Sequence, residues 1–193
     1  MNSVAVFCGA NPGNEPWFAE AATELGKTLA QRKIRVLFGG GSVGLMGILA
    51  DAVLAGGGHV IGVIPKALAT KELAHTGLSD LRIVGTMHER KALMADLAGG
   101  FVAMPGGLGT FEEFCEVLTW AQLGIHAKPC GILNVDGYYD PLLALLDHAV
   151  EERFVRPQHR SLVLASAEPA LLLDAMEAFR APPLEKWIDR ETT

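Results

Sequence analysis

A doubly wound α/β fold, with a mainly parallel sheet and helices on both faces, is predicted by three features of the sequence. Short apolar runs alternate with helical patterns along nearly the whole chain. Several runs, such as Val4-Ala5-Val6-Phe7 and Phe101-Val102-Ala103-Met104, have no alternating polar face, which marks strands covered on both sides. The connections between runs are short and rich in glycine and proline, as strand–helix–strand crossovers require.

Strands are expected over 4–8, 35–38, 59–64, 81–84, 100–104, 130–134 and 162–164. Helices are expected over 15–31, 45–55, 87–98, 111–123, 141–152 and 169–178. The first strand follows a start with no basic region, so it reads as a strand and not as a secretion signal. The second strand ends in Gly39-Gly40-Gly41-Ser42-Val43-Gly44, a turn that opens the second helix, and the third ends at Pro65. Thr86 and Glu89 form a capping box where the fourth strand gives way to the fourth helix. The fifth strand runs into Pro105-Gly106-Gly107-Leu108-Gly109-Thr110, with Thr110 and Glu113 spaced as a second capping box for a helix starting at Phe111. Cys130 to Asn134 is an uncharged strand before Tyr138-Tyr139-Asp140-Pro141, and the run at Leu162 precedes a last helix opened by Pro169. One domain over 1–181 accounts for these elements. The tail over 182–193, with Pro182, Pro183 and Trp187, is expected to pack on its surface.

Composition narrows the function. The net charge of −6 argues against a nucleic-acid polymer, which needs a basic face. The longest uncharged runs are too short and glycine-rich to span a membrane. Half the residues are hydrophobic and the mean hydropathy is +0.27, so apolar surface shared between subunits, as in a homodimer, is expected. Cys8, Cys115 and Cys130 are odd in number and far apart in apolar surroundings, and read as reduced core thiols of a cytoplasmic protein. The six histidines show no metal-ligand pair. His88-Glu89 continues with Arg90-Lys91 and no second histidine, so no metal is expected.

In a sheet of this kind ligands sit beyond the carboxyl ends of the strands. Five segments fall there: 9–13, 39–47, 65–72, 86–94 and 105–113. The glycine turn before the fifth helix lets backbone N–H groups converge on an anion at the positive end of the helix dipole, and so predicts a phosphate site at Gly106, Gly107 and Gly109. The Gly39–Gly44 turn contains a GxGxxG pattern. The acid about twenty residues on that a dinucleotide ribose would need is absent, so Gly40 and Gly41 read as mononucleotide contacts, with Gly9 after the first strand. Beside Met87, Arg90 and Lys91 stand in the first turns of a helix, where the dipole disfavours cations. An anionic ligand for Arg90 explains that placement. Glu112 and Glu113 diverge by about 100°, so only one can face a pocket squarely, and spacing does not choose between them.

The segments Pro-Gly-Gly-x-Gly-Thr-x-x-Glu (Pro105 to Glu113), Met-His-x-Arg-Lys (Met87 to Lys91), Gly-Gly-Gly-x-x-Gly-Leu-Met-Gly (Gly39 to Gly47) and Phe-Cys-Gly-Ala (Phe7 to Ala10) together resemble the LONELY GUY (LOG) family. Its members are cytokinin riboside 5'-monophosphate phosphoribohydrolases, often mislabelled lysine decarboxylases. The resemblance runs through Tyr138 to Leu142, and departs slightly at Ala10, where many relatives have serine. It implies a catalytic pair of Arg90 and Glu113. It also implies substrate contacts at Glu72, Lys91, Thr119 and the stretch Gly107, Leu108, Gly109, Thr110, Phe111, Glu112. The expected activity is hydrolysis of the N-glycosidic bond of N6-modified adenosine 5'-monophosphates, with no cofactor. Two other readings fit the same residues: a general purine-monophosphate nucleosidase, and a non-catalytic nucleotide sensor or carrier. A pyridoxal-phosphate decarboxylase fits poorly, because Lys91 is the only lysine near the expected crevice and no acid stands ready for a cofactor ring.

Overall fold

A computed structural model describes residues 1–69 and 74–183. Seven strands form one sheet: β1 (Ser3–Phe7), β2 (Arg35–Phe38), β3 (Val60–Pro65), β4 (Asp80–Val84), β5 (Phe101–Ala103), β6 (Cys130–Leu133) and β7 (Val163–Ser166). Their order is β4-β3-β2-β1-β5-β6-β7, and every neighbouring pair is parallel. The chain therefore winds outward from β1 to one edge, crosses back, and continues from β5 to the other. The crossing leaves a switch point between β1 and β5.

Between the strands run α1 (Pro16–Gln31), α2 (Gly44–Ala55), α3 (Lys66–Ala69), α4 (Met87–Leu97), α5 (Leu108–Gln122), α6 (Asp140–Glu151), α7 (Pro157–Arg160) and α8 (Pro169–Ala178). Strand side chains alternate between two apolar layers, as a period of two demands. Val4, Val6, Val36, Phe38, Val102 and Met104 pack with α1, α2 and α8. Ala5, Phe7, Leu37, Phe101 and Ala103 face the other way, against Met94 and Ala95 of α4 and Phe114, Val117 and Ala121 of α5. β1, β3, β5 and β6 are buried along their whole length, so an unbroken apolar run here marks a central strand.

Four expectations need correction. α5 begins at Leu108, not Phe111, with Gly107 as its N-cap, so Thr110 and Glu113 lie inside the helix and form no capping box. Extended backbone at Gly107 makes the turn without a side-chain cap. β7 is shifted toward the C-terminus, to Ser166. The one-turn pieces α3, α7 and a 3₁₀ turn at Val135–Gly137 were not foreseen, being too short to show a helical period. Cys115 is exposed on α5, whereas Cys8 and Cys130 are buried thiols as expected. Most of the anticipated C-terminal tail lies outside the described residues.

Candidate active site at the sheet switch point

A cleft of about 430 Å³ opens beyond the carboxyl ends of β1 and β5. Gly9 fastens its floor: its N–H donates to Pro105 O (3.0 Å) and its carbonyl accepts from Leu45 N–H (3.0 Å). One residue thus ties β1 to the loop after β5 and to the start of α2. Four of the five expected segments line the cleft, contributing Gly9 to Gly13, Gly39 with Leu45 and Met46, Met87 with Arg90, and Pro105 to Gly107 with Gly109, Thr110, Glu112 and Glu113. The segment after β3 does not line it within the described residues, and Glu72 lies outside them.

Arg90 is placed by the start of α4. Thr86 caps that helix, its Oγ1 accepting from Glu89 N–H at 3.1 Å. Glu89 reaches back to Gly85 N–H at 2.8 Å, one residue before the cap, so its role is structural. The next residue, Arg90, extends across to α5, where Nη2 donates to Oε1 of Glu113 at 3.0 Å. Both side chains are nearly buried, at 12% and 11% exposure. The guanidinium has donors to spare: Nη1 makes only a long contact with Met87 Sδ (3.7 Å), and Nε is buried without a partner.

Glu113 is the acid that the cleft selects. Burial raises its pKa above the ordinary 4.5, and the opposing charge of Arg90 offsets only part of that rise. Glu112 also touches the cleft but is exposed and engaged elsewhere. Lys91 Nζ donates to Glu112 (2.5 Å) and Glu116 (2.9 Å), joining α4 to α5. Burial pulls the lysine pKa down, and the two carboxylates outweigh it, so the amine is held charged. A Schiff-base lysine must lose that proton, and among the described residues no lysine lines the cleft.

The rim is the amino end of α5. The first bond there, Phe111 N–H to Gly107 O (3.1 Å), leaves the preceding helical N–H groups outside the helix ladder. Gly107 and Gly109 have open space where a Cβ would stand, so the fold itself does not require glycine at either position. Gly106 differs: a Cβ there would strike Thr110 Oγ1 and Gly9 N. Tyr138 braces this loop, its hydroxyl donating to Gly106 O at 2.5 Å.

The remaining expected contacts lie elsewhere. Leu108 points outward, 85% exposed, and Phe111 packs edge-on against Tyr139. Gly40 and Gly41 do not line the cleft. Gly40 (φ +80°) sits over Gly62 and Ile64, and Gly41 bridges to Ala74, so these two glycines serve backbone packing. Thr119 gives its hydroxyl to Cys115 O (2.7 Å) and stands about 12 Å along the helix axis from Phe111, beyond the cleft. Phe18 and Tyr138 line the site and were not foreseen, because tertiary packing alone brings them there.

Comparison with known proteins identifies the family. Residues 46–176 match the family described as "Possible lysine decarboxylase". Two rice (Oryza sativa subsp. japonica) proteins are similar over most of their length. One, named probable cytokinin riboside 5'-monophosphate phosphoribohydrolase LOGL9, is 53% identical over 91% of this chain and 78% of its own. The other, named LOGL2 with the same activity, is 49% identical over 97% and 76%. Arabidopsis thaliana LOG7, a cytokinin riboside 5'-monophosphate phosphoribohydrolase by name, is 48% identical over 91% and 81%. Among solved structures, the molybdenum cofactor binding protein of Rippkaea orientalis superposes with a TM-score of 0.69 at 20% identity, over 92% of this chain and 96% of that one. The molybdenum cofactor carrier protein of Chlamydomonas reinhardtii gives 0.69 at 21%, over 92% and 97%. At such identities the superpositions establish the fold alone. With half its residues shared over nine-tenths of its length, and the paired Arg90 and Glu113 under a glycine-capped helix, the chain belongs to the LOG family.

Proposed function

We propose that this protein is an N-glycosyl hydrolase that cleaves N6-modified adenosine 5'-monophosphates to the free base and ribose 5-phosphate, the cytokinin-releasing reaction for which its relatives are named. The observation that carries this reading is one juxtaposition. A buried carboxylate–guanidinium pair lies at the base of a cleft whose rim is a helix amino end with glycines that the fold does not need.

Each part has a role. The free N–H groups ahead of Phe111 hold the 5'-phosphate at the positive end of α5. That remote contact aligns C1' over Glu113. As the C1'–N9 bond breaks, its electron pair leaves with the base and the sugar gains oxocarbenium character, which a nearby carboxylate stabilises. Glu113 takes a proton from the attacking water as the new C1'–O bond forms. Arg90 holds Glu113 toward its charged form and directs its unused donors at the leaving base or the phosphate.

The protein acts as a homodimer in the cytoplasm. No residue of α6 is buried, although it carries Leu142, Leu143, Leu145 and Leu146, and Phe154 beyond it is 87% exposed. Leu142, Leu143 and Leu146 rest partly buried on the core, whereas Leu145 (61% exposed) and Phe154 face outward, and these are the side chains a second copy would cover. Buried unpaired Cys8 and Cys130 suit a reducing compartment.

Incubation with N6-isopentenyl-AMP, AMP and the two corresponding nucleosides tests the activity. Rapid release of base from the modified monophosphate, with nucleosides far poorer, is the expected result. Equal release from both monophosphates would make the enzyme a general nucleosidase. Binding without release would make it a carrier, and comparable turnover of nucleosides would remove the phosphate role of α5.

A further inference from the structure

Gly39 follows the last residue of β2 and faces the cleft, yet its backbone makes no demand for glycine. Its φ lies outside the left-handed region that its neighbour Gly40 occupies at +80°. Its lack of a side chain matters for a different reason. A Cβ at Gly39 would lie 2.5 Å from Arg90 Nη2, 3.3 Å from Arg90 Cζ and 3.4 Å from Met46 Sδ. Nη2 is the nitrogen that donates to Glu113 Oε1 at 3.0 Å. The other terminal nitrogen, Nη1, is met by Met87 Sδ at 3.7 Å.

We propose that Gly39 is a positioning residue whose missing side chain provides the seat in which the Arg90 guanidinium meets Glu113. This rests on the reading of Arg90 and Glu113 as the reacting pair. The contact at stake is with the tip of a flexible side chain, not with backbone, so a methyl group at position 39 moves the guanidinium and leaves β2 in place. Room to retreat is limited on the Nη1 side by the Met87 thioether. Displacement therefore lengthens the bond between Nη2 and the carboxylate. Glu113 then loses the charge that opposes its burial and holds its proton to higher pH. A motif that reads in sequence as a nucleotide-binding turn thus contains a glycine that serves an arginine from another element.

The test is a double-mutant cycle between Gly39→Ala and Arg90→Ala, read as base release from N6-isopentenyl-AMP. Alone, Gly39→Ala is expected to lower kcat/KM by about 10²-fold, the scale of an ångström-sized misplacement. It should also shift the acid limb of the pH profile upward, with Tm unchanged at pH 4 and lowered above pH 7, where the displaced counter-charge is missed. On the Arg90→Ala background it should change activity less than about twofold, because the group it displaces is gone. A readout independent of turnover is the titration of the Glu113 carboxyl followed by carbon-13 NMR, with Glu113→Gln identifying the signal. Its midpoint should rise in Gly39→Ala. If the wild-type protein releases no base, the proposed activity fails while the NMR titration still judges the role of Gly39. Equal losses on both backgrounds, an unmoved Glu113 midpoint, or a Gly39→Ala protein that fails to fold would each overturn the proposal.

Discussion

At the scale of single residues, Glu113 stands between two demands. Burial pushes its proton affinity up while Arg90 pulls it down, and burial prevails. A carboxyl whose folded pKa is raised gives stability that is complete below its unfolded pKa and is lost as pH rises through the folded one. Glu113→Gln should therefore melt no lower than the wild type at pH 8. Any gain should shrink as pH falls toward the ordinary carboxyl value of 4.5, where the wild-type side chain is also neutral. The same variant should lose hydrolysis by about three orders of magnitude, since an amide is neither base nor anion. Melting curves at both pH values and turnover per folded molecule check the two halves. In the wild type, the acid limb of kcat/KM should fall above 4.5 for the same reason. Arg90→Ala leaves the buried Glu113 carboxylate without its counter-charge, so it should destabilise the protein above pH 7 and much less at pH 4. Thermal melts at those two pH values decide this. The placement of Arg90 near a helix amino end is thus accounted for by a neighbouring carboxylate.

At the scale of elements, α4 and α5 have to keep a fixed spacing for Arg90 to reach Glu113. Lys91 provides the tie, its side chain 11% exposed and its Nζ held between Glu112 and Glu116. Lys91→Ala is expected to cost about 1–2 kcal/mol, less than a fully buried pair because both carboxylates keep some solvent. Urea unfolding measures that loss, and kcat should fall more than KM rises if the helix spacing serves the reacting pair. Much of this arrangement was legible in the sequence. Buried strands betray themselves by uncharged runs, and Thr86 with Glu89 gave the start of α4 to the residue. The start of α5 was missed by three residues because Leu108, Gly109 and Thr110 carry no apolar period and Gly107 caps with backbone alone. Of the site, Arg90 stood out by its placement at a helix amino end, whereas the choice of Glu113 over Glu112 was legible only through family resemblance, since spacing does not rank the two. Phe18 and Tyr138 left no local signal, for they meet the cleft from α1 and from the turn after β6.

At the scale of the whole molecule, the two faces of the sheet are unequally covered. α1, α2 and α8 contribute fully buried leucines to one layer, whereas on the other Leu142, Leu143 and Leu146 of α6 are only partly buried and Leu145 is 61% exposed. A second copy laid on the α5–α6 side removes that asymmetry. Light scattering at micromolar concentration should give twice the 20.5 kDa of the chain, and Leu145→Glu with Phe154→Glu should return it to a single mass with its secondary structure intact. A wild-type monomer that retains full activity would refute the dimer.

The hydrogen bond from Gly9 to Pro105 has a further consequence, for the order of events in folding. It joins segments nearly a hundred residues apart in sequence, and the parallel pairing of β1 with β5 on which it depends is equally remote. Contacts of that range form late, after local helices and the hairpin-free first half of the sheet have collapsed. A nascent chain that ends before β5 already contains Arg90 but has no carboxylate to set against it. Enzymatic competence should then arrive in a single step with the docking of the second half. During refolding, recovery of base release should trail recovery of helical signal, making activity a clock for completion of the sheet.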